Sequence, residues 1–315
     1  MRIAQTPLRR AQGTSGDEKP GYYLPAGTAG ADGYDVAVTP ESAGWGYSGL
    51  RVLTLAAAEE HVFATGEDEV VVVPLSGAVS VDADGSHLDL AGRRDVFAGP
   101  TDFAYLPPGT TVTLLSEHGG RFALCSARTD RHLPVRHGAA ADVPVELRGA
   151  GRSSRQVRNF GTPAALDAGA IIACEVITPG GNWSSYPAHK HDEASETESA
   201  LEEIYYFEVA AGPQGQPGLG FMRTSSSPGH PIEVTEEVHD RDVVLVPHGW
   251  HGPAVAAPGH AMYYLNVMAG PPAPGGGERA WLITDHPDQT WVRASWADQE
   301  VDPRLTTPRP AQESS

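Results

Sequence analysis

From Asp32 onward the chain is written in short runs of alternating apolar and polar residues. YDVAVTP, LRVLTLAA, HVFAT, EVVVVPLSGAVSVDADG, SHLDLAGRRDVFAG, FAYLPPG, TVTLLS and RFALCSA follow one another, with Gly, Pro and Asp prominent between them. A period of two puts successive side chains on opposite faces of an extended strand, so each run predicts a strand with one face toward a core. Their spacing predicts an antiparallel β barrel or sandwich, and no long helical period intrudes. A composition shift at HGAAADVPVELRGAGRSS (His137 to Ser154) precedes RQVRNF, which opens a second series. That series runs IIACEVITPGGNWSSYPAHKH, EEIYYFEVAAG, LGFMRTSS, PIEVTEEVHDRDVVLVPHGWHGPA and GHAMYYLNVMAG. Glu69 to Gly77 followed by Pro107-Pro108-Gly109 is echoed by Glu203 to Gly212 followed by Pro247-His248-Gly249, which predicts an internal duplication. The expected plan is a partly mobile N-terminal segment over 1–31, a first barrel over 32–140, a second over 141–300 and a disordered tail over 301–315. PPAPGGGERA, after Gly270, reads as a flexible loop or lid.

The second half carries the legible chemistry. In YPAHKHDEASETESALEEIYYFEV (Tyr186 to Val209), His189 and His191 fall on one face of a strand and Lys190 turns away. Glu203, Tyr205 and Phe207 share a face by the same rule, and Glu202, Tyr206 and Glu208 take the other. His251 follows the turn Pro247-His248-Gly249. These residues supply three neutral nitrogens and one carboxylate, a donor set suited to a divalent Zn, Mn, Fe or Ni ion. Glu193 and Glu196 lie nearer His191, but ASETESA is polar and turn-like whereas Glu203 opens a clear strand. The short spacing of the turn leaves His248 as a rival to His251. In the first half the matching places hold only His61 and, for the last histidine, Thr111 or Val112, so that barrel is expected to have lost its metal.

The His-x-His strand, the downstream Glu and the Pro-x-Gly turn with its His resemble the cupin pattern. With the duplication, that implies an all-β bicupin of two jelly-roll barrels. LEEIYYFEV, DVVLVPHGWHGP, MYYLNVMAGP and DHPDQTWVR together resemble the 5-deoxy-glucuronate isomerase family of myo-inositol breakdown, itself similar to the uronate ketol-isomerases of pectin breakdown. The resemblance implies metal-dependent conversion of 5-deoxy-D-glucuronate, an aldose, into the ketose 5-dehydro-2-deoxy-D-gluconate. An α-hydroxy aldehyde can chelate such an ion through its carbonyl and hydroxyl oxygens, and proton transfer through an ene-diolate then moves the carbonyl. Tyr205, His248 and Glu202 are the candidate proton-moving groups. Arg223, at the end of an apolar strand, and Lys190 are the candidate cations for the substrate carboxylate. The same ligand set also serves non-haem metal dioxygenases and non-catalytic sugar-acid-binding bicupins, which stand as the alternatives.

Charge narrows the partners. Forty acidic against twenty-two basic residues give a formal charge of −18, which repels nucleic acid and requires local cations for any anionic substrate. No apolar run reaches the roughly 18 residues of a membrane span, and MRIAQTPLRRAQG lacks a signal core, so a cytoplasmic protein away from membranes is expected. Cys125 and Cys174 sit in apolar strand-like runs and read as buried, inert thiols. Sheet edges and tyrosine-rich strands leave room for a homo-oligomer.

Overall fold

The structure, a computed structural model, describes residues 21–272 and 279–306. Residues 1–20 of the N-terminal segment, most of the PPAPGGGERA loop and residues 307–315 of the tail lie outside the described residues.

The chain is all-β and forms two antiparallel barrels. The first-half strands make a nine-stranded sheet, the second-half strands a seven-stranded and a six-stranded sheet. In the first barrel one strand, Asp68–Ala83, does most of the wrapping. Its first part pairs with Phe103–Leu106 and Gly120–Arg128, its second with Ser86–Arg93 and Thr111–Ser116. Register breaks at Pro74/Ser76 and Gly77/Val79 bend it from one wall to the other. Proline cannot donate to a ladder, so a bulge is where a strand tolerates it. In the second barrel Glu202–Val209 lies between Val243–Val246 and Met262–Ala269.

Alternation divides the apolar residues among three cores. Val70, Val72 and Leu114 fill the first barrel, and Tyr205, Phe207, Val244 and Val246 fill the second. Val71, Val73, Ile204, Tyr206, Val243 and Leu245 meet in a third core between the barrels. The central strands are thus buried on both faces, which explains why they read as near-continuous apolar runs. Cys125 lies in the inter-barrel core and Cys174 in the second barrel; both are free thiols.

Buried charges cross the same interface. Glu69 accepts from the backbone N–H groups of Gly169, Ala170 and Ile171 at 2.6, 2.6 and 2.8 Å, and from the Tyr105 hydroxyl at 2.7 Å. Glu202 accepts in the opposite direction from the N–H groups of Gly46, Tyr47 and Ser48 at 2.7, 2.8 and 2.9 Å. Arg93 pairs with Glu175, which also accepts from the Tyr263 hydroxyl at 2.9 Å.

Both ends of the described chain depart from the expected mobility. Tyr23–Leu24 is a short strand on Val243 and Val244 of the second barrel. Asp242 accepts from Tyr23 Oη at 2.7 Å and from the Ala26 N–H at 2.8 Å, so residues 21–31 are not a loose lead-in. Asp242 is buried for that reason, although its surroundings in EEVHDRD are rich in charge. At the other end the Asp302 N–H donates to Ser154 Oγ and its carboxylate accepts from Asn182 Nδ2, each at 3.0 Å, before a single turn over Pro303–Leu305. Among the described residues no helix is long and apolar enough to cross a membrane.

Candidate metal centre and substrate cavity

Four side chains converge in the second barrel. His189–Lys190 is a two-residue strand laid between Trp250–Ala256 and Thr284–Asp285, with His189 opposite both His251 and Asp285. Glu203 projects from Glu202–Val209 on the face of Tyr205 and Phe207, as alternation requires. His191, Glu203 and His251 are buried and bring their ligand atoms within 4.8 Å of one another. His189 stands beside them, its ring 4.5 Å from that of His251 and 6.3 Å from that of His191.

The backbone orients all three imidazoles. His189 Nδ1 lies 3.2 Å from the Pro187 carbonyl, His191 Nδ1 3.0 Å from that of Leu201 and His251 Nδ1 3.1 Å from that of Gly249. A carbonyl oxygen only accepts, so each Nδ1 is the donor and each Nε2 is left to face the site, the arrangement that metal-ligating histidines use. His191 Nε2 and His251 Nε2 are both 3.1 Å from Glu203 Oε2. The His251 nitrogen nevertheless makes no hydrogen bond, an orphaned buried polar atom that a cation would satisfy. Burial opposes the Glu203 charge, but His251 and His191 more than reverse it and hold the carboxyl below its usual range. Burial and the neighbouring histidines push His189 well below its ordinary value, keeping it neutral. Burial also disfavours the His191 proton, yet the Glu203 hydrogen bond wins and raises that group. An anionic carboxylate ringed by inward-facing Nε2 atoms fits a divalent ion.

Glycine and a buried acid shape the loop that carries His251. Gly249 has φ 97°, and its N–H donates to Asp192 Oδ2 at 2.9 Å. Gly252 has φ 102°, and a Cβ there would stand 1.8 Å from the Ser185 carbonyl oxygen. No other residue fits that approach. Asp192 also accepts from Ser227 Oγ at 2.5 Å and from Lys190 Nζ at 2.7 Å, and Lys190 reaches Glu198 at 2.7 Å. Glu198 in turn accepts from the N–H groups of Asp192 and Glu193. The long polar loop between His191 and Glu203 is therefore folded on an internal charge cluster.

His189 opens onto a cavity of about 410 Å³ whose lining also includes Arg148, Arg155, Trp281, Ile283, Asp285 and Arg293. A larger cleft of about 1080 Å³, bordered by Arg128, Arg131 and Arg279, contains none of the four converging side chains. The smaller cavity is the one that meets the cluster.

Other sequence-chosen residues fall elsewhere. Lys190 places its ammonium on Asp192 and Glu198, away from this cavity. Arg223 points outward, its side chain 53% exposed, 3.9 Å from Glu233. Glu202 is committed to three backbone N–H groups of the first barrel. His248 stacks near His230, with Nε2 3.3 Å from the Pro231 carbonyl. Of the three candidate proton-moving groups only Tyr205 stands at the cluster, its ring 6.2 Å from that of His251 and its hydroxyl hydrogen-bonded to Ser185 Oγ at 3.2 Å. The residues missed were Arg148, Arg155 and Asp285. Arg155 carried a signal, since it alternates with the buried Val157 at the inward positions of RQVRNF.

The chain has clear relatives. A sequence profile of the KduI/IolB family matches residues 23–292. The 5-deoxy-glucuronate isomerase of Geobacillus kaustophilus (strain HTA426) is 37% identical over 276 residues, covering 86% of this chain and 95% of that protein. That of Bacillus subtilis (strain 168) is 32% identical over 259 residues, covering 81% and 91%. An IolB-like protein from Salmonella typhimurium LT2 matches in structure with a TM-score of 0.77 at 34% identity, covering 86% of this chain and 98% of that one. Oxalate decarboxylase from Bacillus subtilis, a cupin-type protein, shares the fold alone, with a TM-score of 0.52 at 13% identity over 87% of this chain and 81% of that one. A profile match over most of the chain, and relatives above 30% identity along nearly their whole length, establish that this chain belongs to the KduI/IolB family.

Proposed function

We propose that this protein is a metal-dependent aldose–ketose isomerase that converts 5-deoxy-D-glucuronate to 5-dehydro-2-deoxy-D-gluconate. The observation that carries the reading is the set of three histidines, each with Nδ1 on a backbone carbonyl, around the buried Glu203, with His189 opening onto a cation-lined cavity. The relatives named 5-deoxy-glucuronate isomerase support the substrate.

His189, His191, Glu203 and His251 would hold the ion. When bound, it supplies Lewis acidity toward the carbonyl and the adjacent hydroxyl of the sugar. The chain's own groups do the rest. His189 Nε2, which makes no hydrogen bond among the described residues, faces the cavity where the reacting end of the sugar would sit. Tyr205 is the group we assign to proton handling. Burial raises its phenol well above the ordinary value, so it begins the reaction protonated and serves as a donor to the sugar oxygen that gains charge, not as the base that takes the C–H proton. Ser185 Oγ, 3.2 Å from both the Tyr205 and the Tyr264 hydroxyls, offers a relay. Trp281 and Ile283 give the cavity an apolar flank.

The test is turnover of 5-deoxy-D-glucuronate by metal-loaded and chelator-stripped protein under nitrogen. Metal-loaded protein is expected to form the ketose without oxygen, and stripped protein to form none until metal is returned. Oxygen-dependent product would point to the dioxygenase instead, and turnover that survives stripping would end the metal mechanism.

A further inference from the structure

We propose that Arg155 is the carboxylate-binding residue of this site, gripping the acid end of a sugar acid whose other end lies at His189. The inference rests on the isomerase reading for the identity of the sugar, but its structural basis is independent of turnover.

Three arginines line the cavity, and two already have acid partners. Arg148 donates through Nε and Nη2 to Glu146 at 2.9 and 2.7 Å. Arg293 grips Asp285 with the same two groups, at 2.5 and 2.7 Å. Arg155 has no carboxylate partner among the described residues. Its only hydrogen bonds run from Nη1 to the carbonyls of Ser153 at 2.9 Å and Tyr186 at 3.4 Å. Nε and Nη2 are left over, and they form the edge of the fork that matches a carboxylate with two parallel bonds.

The residue is only 5% exposed, so water does little to solvate its charge. Burial pulls its guanidinium down to about 10. A buried cation without a counter-ion is costly, and a chain with forty acidic residues had many chances to supply one. The missing anion is instead brought by the ligand. The group is also held in place. Trp296 lies under it, 5.3 Å from ring centre to guanidinium, and Arg293 flanks the same ring at 5.5 Å. Its partner carbonyl, that of Tyr186, is three residues before His189, so one short segment links the Arg155 guanidinium to His189. A volume of about 410 Å³ suits a small sugar acid.

The experiment uses full-length, metal-loaded protein with Arg155→Met and Arg155→Lys. It compares 5-deoxy-D-glucuronate with 5-deoxy-D-glucose, which keeps the aldehyde and its neighbouring hydroxyl but has a hydroxymethyl group in place of the carboxylate. For Arg155→Met the ratio of kcat/KM, acid over neutral sugar, should fall about a hundredfold, mainly through KM for the acid, with metal content unchanged. Arg155→Lys should recover part of it, since charge returns without the fork. A wild-type ratio in both variants overturns the assignment. If Arg155→Met does not fold, Arg155→Lys decides: a rise in KM for the acid of about tenfold supports the subsite, and an unchanged KM overturns it. Calorimetric binding of D-glucuronate separates the two readings. Wild-type binding that weakens in Arg155→Lys, without any turnover of the deoxyuronate, would sink the isomerase and keep the subsite. Normal turnover with binding indifferent to Arg155→Lys would do the reverse.

Discussion

The two barrels are built on one strand plan and can be matched at particular positions through their ladders. Val70 pairs with Leu106, just before Pro107, as Glu203 pairs with Val246, just before Pro247. Ala64 pairs with Thr111 as His189 pairs with His251. Where the second barrel has His189, Glu203 and His251, the first therefore has Ala64, Val70 and Thr111, none of which can ligate a metal through nitrogen or carboxylate. One residue earlier on the same strand the barrels agree. Glu69 and Glu202 occupy equivalent positions, and each accepts from three successive N–H groups at the matching place in the other barrel, Gly169 to Ile171 and Gly46 to Ser48. Side chains facing the partner barrel are shared, and those facing the barrel interior are not. The outer face of the strand thus joins the halves, and the inner face is free to differ in chemistry.

Exchanging the inner residues should give the largest effect. Glu203→Val installs the first barrel's residue in the second, leaving two buried imidazoles without their carboxylate. On the proposed reading, metal content should fall toward zero and turnover by well over a hundredfold. Metal analysis of the purified variant checks it. The reverse change, Val70→Glu, should bind no metal and should destabilise the protein by about 3 kcal/mol or more, because a carboxylate would enter an apolar core without nitrogen partners. Val70 is 2% exposed and sits among Leu53, Val72 and Leu106. Metal bound stoichiometrically by Val70→Glu would show that the barrels differ by less than their ladders imply.

Much of this was legible because strand periodicity is two. Alternation placed Glu203 with Tyr205 and Phe207, and the His-x-His spacing and the Pro-x-Gly turn singled out His191 and His251. The same periodicity caused the main misreading. Matching Glu69 to Glu203 is one residue out of register, and a one-residue slip moves a side chain to the opposite face. Glu69 corresponds to Glu202, which is why neither belongs to the site and why Glu202 has no free oxygen for proton transfer. Lys190 was hidden for another reason. Its partner Glu198 lies in ASETESA, whose polarity reads as a solvated turn although Glu198 is 4% exposed. Polar loops bury charge by closing on themselves, and spacing does not reveal that. Arg155 needed the knowledge that its neighbours lack a counter-ion, which only the fold provides.

The outer face gives a smaller test. Glu69→Gln and Glu202→Gln each replace an anionic acceptor of three N–H groups with an amide whose NH₂ faces a donor. Each should cost about 1.5–3 kcal/mol in denaturant unfolding. The cost at Glu69 should exceed that at Glu202 only by what its additional bond from the Tyr105 hydroxyl contributes, if the clamps are equivalent. Glu202→Gln should leave metal content at the wild-type level, since its carboxylate is directed at the first barrel. A cost at one position several times that at the other would break the equivalence, as would loss of metal from Glu202→Gln.

A last asymmetry is at the two ends of the described residues, both of which dock on the second barrel: Tyr23 and Ala26 on Asp242, and Asp302 on Asn182 and Ser154. Asp302 sets the smallest expected effect and the one with a pH signature. Hydrogen bonds from Arg304 are the chief cause that holds its carboxyl below the usual carboxylate range, against the opposing effect of burial. A depressed carboxyl contributes stability that is complete above its unfolded value, near 3.8, and is lost as the pH falls through the folded value. The clasp is therefore intact at neutral pH and opens only in acid. Asp302→Asn should raise amide exchange over residues 302–306 at pH 7 and lower the melting temperature by less than about 2 °C. The wild-type protein should approach the variant's exchange rates as the pH drops below 3.8. Equal exchange in the two proteins at pH 7 would mean that Pro303–Leu305 is held without the Asp302 carboxylate, by its backbone turn and by the Arg304 bonds to the Gly180 carbonyl and Asn182 Oδ1.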